Sequence, residues 1–254
     1  MKKYSILTFL FNEYEFVREP LEVSDDAEYI LVTDDEKLKS DKWNVKLIPD
    51  EYRNASGFTK AFYVRYHPFE FVNTDVCLVL DGSIQINAKL DKFIYDFLDS
   101  GKDICLSCAC MLSNPFYAEY NWFVEMKGYD QYQARKNMAM LKAIGYDEAF
   151  RGYFEANIKL CKNDSKTNEL HDFVWETILK VSNDKNNVDR LDQTLLSGIV
   201  NIIFPELDVF PICRQAIQSK CLTWMEHNTN KPIVVPINID NIWYRNRKII
   251  PYLL

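Results

Sequence analysis

The stretch Asp75-Val76-Cys77-Leu78-Val79-Leu80-Asp81-Gly82-Ser83-Ile84-Gln85-Ile86 decides how this chain is read. An apolar run suited to a buried strand passes directly into an aspartate, a glycine and a small hydroxyl residue. Strand interiors rarely hold a carboxylate, so an acid at the carboxyl end of a buried strand marks the rim where α/β folds bind ligands. An Asp-Gly pair is also a common turn, so the stretch alone allows both a ligand rim and a plain strand ending.

Working outward, runs of the same apolar, β-branched kind occur at Tyr4–Phe11, Glu28–Val32 and Asn44–Ile48, with Val76–Leu80 as the fourth. A helix is predicted over Gly57–Tyr66, because Pro68 disfavours helical geometry at His67. Leu90, Phe93, Ile94, Phe97 and Leu98 share one helical face, and Ile104–Ala109 returns as a strand. This order indicates an α/β sheet with a nucleotide-binding half at about residues 1–110. The remainder, about 111–254, reads as more helical. Asp130–Ile144 ends near Gly145, Phe154–Cys161 has strand character, and Leu170–Val181 and Leu191–Ile203 flank a polar turn. The last 50 residues read as irregular, with prolines at 205, 211, 232, 236 and 251.

A chain of 254 residues suits one large domain, and no Gly/Ser-rich or Pro-rich linker or repeat divides it. Thirty basic against 37 acidic residues give a formal charge of −7, which argues against nucleic acid as the main partner. Small phosphorylated ligands stay compatible, because a metal ion or local Lys and Arg groups override a modest global charge. The apolar run after Lys2-Lys3 is ended by Asn12-Glu13 without a small-residue cleavage site, and no segment reaches the roughly 18–20 apolar residues of a membrane span. With an odd count of seven cysteines arguing against a disulfide framework, a reducing, cytoplasmic setting is the expectation. Cys105, Cys108 and Cys110 sit in a strand-like run without the turned knuckle of zinc sites, and read as core.

Several segments then match, in order, a pattern of known enzymes. Thr8-Phe9-Leu10-Phe11-Asn12-Glu13-Tyr14 is a strand ending in a polar turn, and Tyr29-Ile30-Leu31-Val32-Thr33-Asp34-Asp35 is a second strand ending in Thr-Asp-Asp, followed by Trp43 and Asn44–Ile48. Lys60, Arg65 and His67-Pro68 precede Asp81-Gly82-Ser83; then come Phe154–Ile158, Trp175, Asp192-Gln193 and His227…Lys231-Pro232. From about residue 4 to 232 the chain resembles GT-A fold glycosyltransferases. The nearest likeness is to the glycosyltransferase-like domain of some plant and bacterial polysaccharide enzymes, and a more distant one is to the family of glycogenin and bacterial lipooligosaccharide galactosyltransferases.

The resemblance implies a single GT-A-like domain over 1–254, with a Rossmann-like mixed central sheet flanked by helices and an acceptor-side second half. It implies a nucleotide-sugar donor, UDP-linked, and a glycan or glycolipid acceptor at the cell surface. Thr8, Asn12, Asp34, Asp35, Lys60, Arg65 and Lys231 would then meet the donor, and Asp192 and Gln193 the reacting sugar. Asp81, Ser83 and His227 would hold Mn²⁺ or Mg²⁺, with Ser83 standing where the family usually has a second aspartate or another polar residue.

These residue types suit the chemistry. A departing diphosphate develops charge that a divalent metal and a preorganised lysine stabilise. Plainer readings stay open: a solvated turn for Asp34-Asp35, a helix N-cap for Asp192, a surface site for His227. His171 and the pair Asp172/Glu176 read as faces of an amphipathic helix. The basic, apolar tail Tyr244–Ile250 suits a packed terminus or weak peripheral membrane contact. Two rival functions remain: a catalytically silent GT-A-like module binding a glycan or partner, suggested by Ser83, and a nucleotidyltransferase. The latter is disfavoured because no glycine follows the first strand.

Overall fold

The computed structural model describes residues 2–108, 131–143, 145, 152–189, 192–213, 219–234, 243–244, 247–248 and 252. The chain forms a mixed α/β fold around a seven-stranded sheet. In chain order the elements are β1 (Tyr4–Leu10), β2 (Ala27–Thr33), β3 (Asn44–Leu47), α1 (Gly57–Tyr66), β4 (Val76–Asp81), β5 (Ile84–Ile86), α2 (Asp91–Asp99) and β6 (Ile104–Cys108). They continue with α3 (Gln131–Ala143), β7 (Phe154–Lys162), α4 (Ser165–Val181), α5 (Asp192–Gly198), β8 (Val209–Cys213), β9 (Leu222–Trp224), β10 (Trp243–Tyr244) and β11 (Arg247–Lys248).

The sheet order is β3-β2-β1-β4-β7-β6-β8. The first four strands run parallel, β7 runs antiparallel to both β4 and β6, and β8 runs parallel to β6. Alternate side chains of a strand point to opposite faces. Leu7, Phe9, Ile30, Val32, Cys77 and Val79 therefore pack under α1, α4 and α5, while Ile6, Leu10, Leu31, Leu78 and Leu80 pack against Phe93, Ile94 and Phe97 of α2. Covering both faces explains why these strands read as continuous apolar runs.

α1 starts where the Ser56 hydroxyl accepts the Thr59 amide at 3.2 Å, and it stops at His67, ahead of Pro68. Three expectations need correction. α4 begins at Ser165 rather than Leu170, because the Asp164 carboxylate caps the Thr167 amide at 2.9 Å. The helix expected over 191–203, of which Leu191 lies outside the described residues, is α-helical over Asp192–Gly198 and widens to a π-turn over Ile199–Ile203. The C-terminal 50 residues contribute β8 and β9, where irregular chain was expected. β8 holds Pro211 because it is an edge strand of the sheet, where a missing amide is tolerated.

Cys105 and Cys108 are buried on opposite faces of the sheet, so they cannot share one ion; Cys110 lies outside the described residues. Burial pushes the Cys77 and Cys105 thiols well up, and that of Cys161 up to about 11, which makes them inert core groups. Most of the 244–250 tail also lies outside the described residues. Among the described residues no helix is long and apolar enough to cross a membrane.

Candidate functional site

The carboxyl ends of β1, β2 and β4 lie side by side, and α1 supplies two buried cations there. After β1 the chain turns through Asn12 and Glu13, both at φ 55°, a left-handed conformation uncommon outside glycine. This turn directs the Asn12 amide to Asp34 Oδ1 at 3.1 Å. Lys60 Nζ donates to Asp34 Oδ2 at 2.6 Å and to Asn12 Oδ1 at 3.1 Å. Asn12, Asp34 and Lys60 thus form one network. Asp35 stands apart, holding its own turn by accepting the Lys37 amide at 2.8 Å.

The second cluster is built around Arg65, which lies over the rings of Phe9 and Phe62. Its guanidinium donates to Asp81 Oδ1 at 2.5 Å and to Asp192 Oδ2. Asp81 is the last residue of β4 rather than the first after it, and it points to the α1 face, as alternation from Cys77 and Val79 requires. Asp192 opens α5, with its backbone carbonyl accepting Tyr66 Oη at 3.4 Å, and Gln193 follows it half-buried. The structure therefore brings Asp81, Arg65 and Asp192 together across three elements.

Thr8 is not part of either cluster. It faces the opposite side of the sheet, in a cavity of about 10 Å³ closed by Arg18, Trp43 and Gly82, room for about one water. Gly82 is a close-approach position: a Cβ there would meet the Phe9 carbonyl at 2.8 Å and Leu10 Cδ2. Gly82→Ala should cost about 1–3 kcal/mol in urea unfolding through this overpacking. Gly57→Ala, which would meet only the Asn12 side chain, with Nδ2 at 3.2 Å, should cost less; equal losses would sink the argument.

His227 lies on a loop latched to the segment after β1. Its Nε2 is 2.8 Å from Tyr14 Oη and its Nδ1 3.2 Å from Glu15 Oε2, with the two rings 4.4 Å apart. Glu15 also accepts the Asn228 amide at 2.9 Å, and Arg18 donates to the carbonyls of Glu226 and Thr229. The Ser83 carbonyl accepts the Met225 amide at 3.0 Å, which ties this loop to the end of β4. Lys231 is exposed beyond the latch.

The proposed cation ligands do not fit a divalent metal in this arrangement. Asp81 is committed to Arg65, both nitrogens of His227 have partners, and Ser83 supplies no second carboxylate. Among the described residues no three His, Cys, Asp or Glu side chains gather into a cation site. Sequence reasoning missed Tyr14, Glu15 and Arg18. The opposite charges of Glu15 and Arg18 at i,i+3, both buried and 3.0 Å apart, were the available signal.

No family model matches the sequence, and no curated protein matches it. Among solved structures the chain is similar to the apo form of mouse xyloside xylosyltransferase 1, at 11% identity over 81% of this chain and 83% of that chain, with a TM-score of 0.44.

Proposed function

We propose that this chain is a glycosyltransferase that moves a hexose from a nucleotide-diphosphate sugar, a UDP-sugar first of all, onto a cell-surface glycan or glycolipid. The observation that carries this reading is the pair of acid–cation clusters at the carboxyl ends of adjacent parallel strands, where α/β sheets bind nucleotides. The ordered sequence likeness to GT-A enzymes supports it.

In this reading Lys60 and the Asn12 amide hold Asp34 in one orientation, ready to accept hydrogen bonds from the ribose or base. Arg65 fixes Asp81 and Asp192 relative to each other, and Asp192 with Gln193 faces the reacting sugar at the start of α5. Lys231 is exposed, so it can meet the leaving diphosphate without first giving up a buried ion pair. Retention of anomeric configuration, with Asp192 beside the reacting carbon, is the stereochemical outcome proposed. No step here runs through a metal ion.

Thermal shift with UDP, GDP, ADP and CDP, with and without Mn²⁺, tests the donor site. A ligand at 100 times its Kd should stabilise the fold by about 2.7 kcal/mol. Asp34→Ala should abolish that shift, and a panel of sugar nucleotides should reveal one preferentially hydrolysed donor. The reading fails if no nucleotide shifts the transition and no donor is hydrolysed. Binding without turnover would favour a silent module, which the committed partners of Asp81 and His227 already suggest.

A further inference from the structure

Past the amino-terminal end of β4, away from the strand-end clusters, a groove of about 350 Å³ opens between α1 and α4. That volume lies at the low end of small-molecule sites, about 300–1,000 Å³. Asn163, whose amide donates to the Asp75 carbonyl at 2.8 Å, places the groove beside the start of β4.

Behind one wall lies Lys159, fully buried in β7. Its ammonium donates to the Arg65 carbonyl, sits 4.8 Å from the centre of the Tyr66 ring, and is 2.8 Å from His171 Nε2. A buried cation whose hydrogen-bond partners are a carbonyl and an imidazole is costly, and such groups gather at functional sites. Because an ammonium has only donors, His171 must accept through Nε2 and carry its proton on Nδ1. Burial together with Lys159 depresses the His171 pKa well below its ordinary value, which keeps the ring neutral. His171 therefore offers an N–H donor at the groove wall.

The rim supplies the complement. Asn168, Glu70 and Asp172 present amide and carboxylate groups, while half-buried Phe69 presents aromatic surface and the Tyr66 ring is almost wholly buried. The buried cation disfavours a positively charged ligand, and the two rim carboxylates disfavour an anion. A neutral molecule with many hydroxyls and an apolar ring face satisfies every wall.

We propose that this groove binds a neutral pyranose, as one residue of a glycan, at a site separate from the strand-end clusters. The site does not depend on the transferase reading, and would serve a silent glycan-binding module equally well.

Saturation-transfer NMR and calorimetry with glucose, galactose and N-acetylglucosamine, set against glucosamine and glucuronate, test it on the full chain. At least one neutral sugar should bind, with UDP in excess leaving its affinity unchanged. The double variant Asn168→Ala/Asp172→Ala, at positions outside the packed core, should weaken binding about tenfold without changing Tm, and His171→Leu should do the same where it folds. Absence of binding by every neutral sugar would overturn the proposal. So would tighter binding of either charged sugar, displacement by UDP, or indifference to the rim substitutions.

Discussion

Replacing Arg65 with methionine should lower stability by about 3–5 kcal/mol in urea unfolding at pH 7, the usual cost of removing one partner from a buried ion pair. Methionine keeps much of the stem that packs on Phe9 and Phe62, so the loss is electrostatic rather than a cavity. Burial alone would lower the Arg65 pKa, yet Asp81 and then Asp192 more than reverse this, holding the guanidinium above its ordinary range. Once the cation is gone, two carboxylates face each other near the end of β4 with nothing between them. Arg65→Lys should fall between wild type and methionine, because an ammonium lacks the planar fork that reaches both acids. Adding Asp81→Asn and Asp192→Asn to Arg65→Met should recover a large part of the loss, since the stranded charges are then absent. A loss below 1 kcal/mol for Arg65→Met, or no recovery in the triple variant, would show that the bridge does not hold these elements together.

Local signals made the frame of the fold legible. The limits of α1 follow from Ser56 at one end and Pro68 at the other, and four apolar runs became four neighbouring parallel strands. What was missed depends on partners distant in sequence. β8 carries a proline and gains strand geometry only by pairing with β6, at an edge that forgives the missing amide. The start of α4 was hidden because Asp164 looks like part of a polar turn until its carboxylate meets the Thr167 amide.

The same limit applies to the site. Asp34 and Asp81 were visible as acids at the ends of apolar strands and Asp192 as an acid at a helix start, whereas Lys60 and Arg65, within the predicted helix, were named only through the resemblance to GT-A enzymes. That Arg65 joins Asp192 to Asp81 was not visible, because Arg65 and Asp192 are 127 residues apart and only tertiary packing sets that contact. His227 has two partners that sequence reasoning did not connect to it, Tyr14 and Glu15, while Arg18 holds the same loop through Glu15 and the carbonyls of Glu226 and Thr229. Lys159 drew no notice in the sequence, because the imidazole that meets it lies on the next helix and only packing brings the two together.

That lysine gives the second large expected effect, a stability difference that depends on pH. Burial, with a contribution from Arg65, pushes the Lys159 pKa down to about 8 from 10.5. Below pH 8 the amine is charged in the folded and unfolded chains alike, and folding carries the whole cost of burying the ion. Between pH 8 and 10.5 the unfolded chain still binds a proton that the folded chain has released, so this group's contribution to stability rises with pH. The change from pH 7 to 10 amounts to about 2–3 kcal/mol.

Wild type alone will not show that rise cleanly. The thiols of Cys77, Cys105 and Cys161 have raised pKa values, so above pH 9 the unfolded chain loses protons that the folded chain keeps, and stability falls. Comparison with Lys159→Met cancels most of that background. Loss of the cation also raises Cys161 further, because Lys159 now favours its thiolate, and this widens the gap in the same direction. At pH 7 methionine relieves the buried charge but leaves His171 Nε2 and the Arg65 carbonyl unpaired, at about 1–3 kcal/mol each. The two effects nearly offset, so Lys159→Met should match wild type to within about 2 kcal/mol at pH 7 and fall about 2–3 kcal/mol further behind by pH 10. Urea curves for both proteins at unit pH steps provide the measurement. Parallel stability profiles would mean that the lysine keeps its ordinary proton affinity and is not buried as a cation against His171.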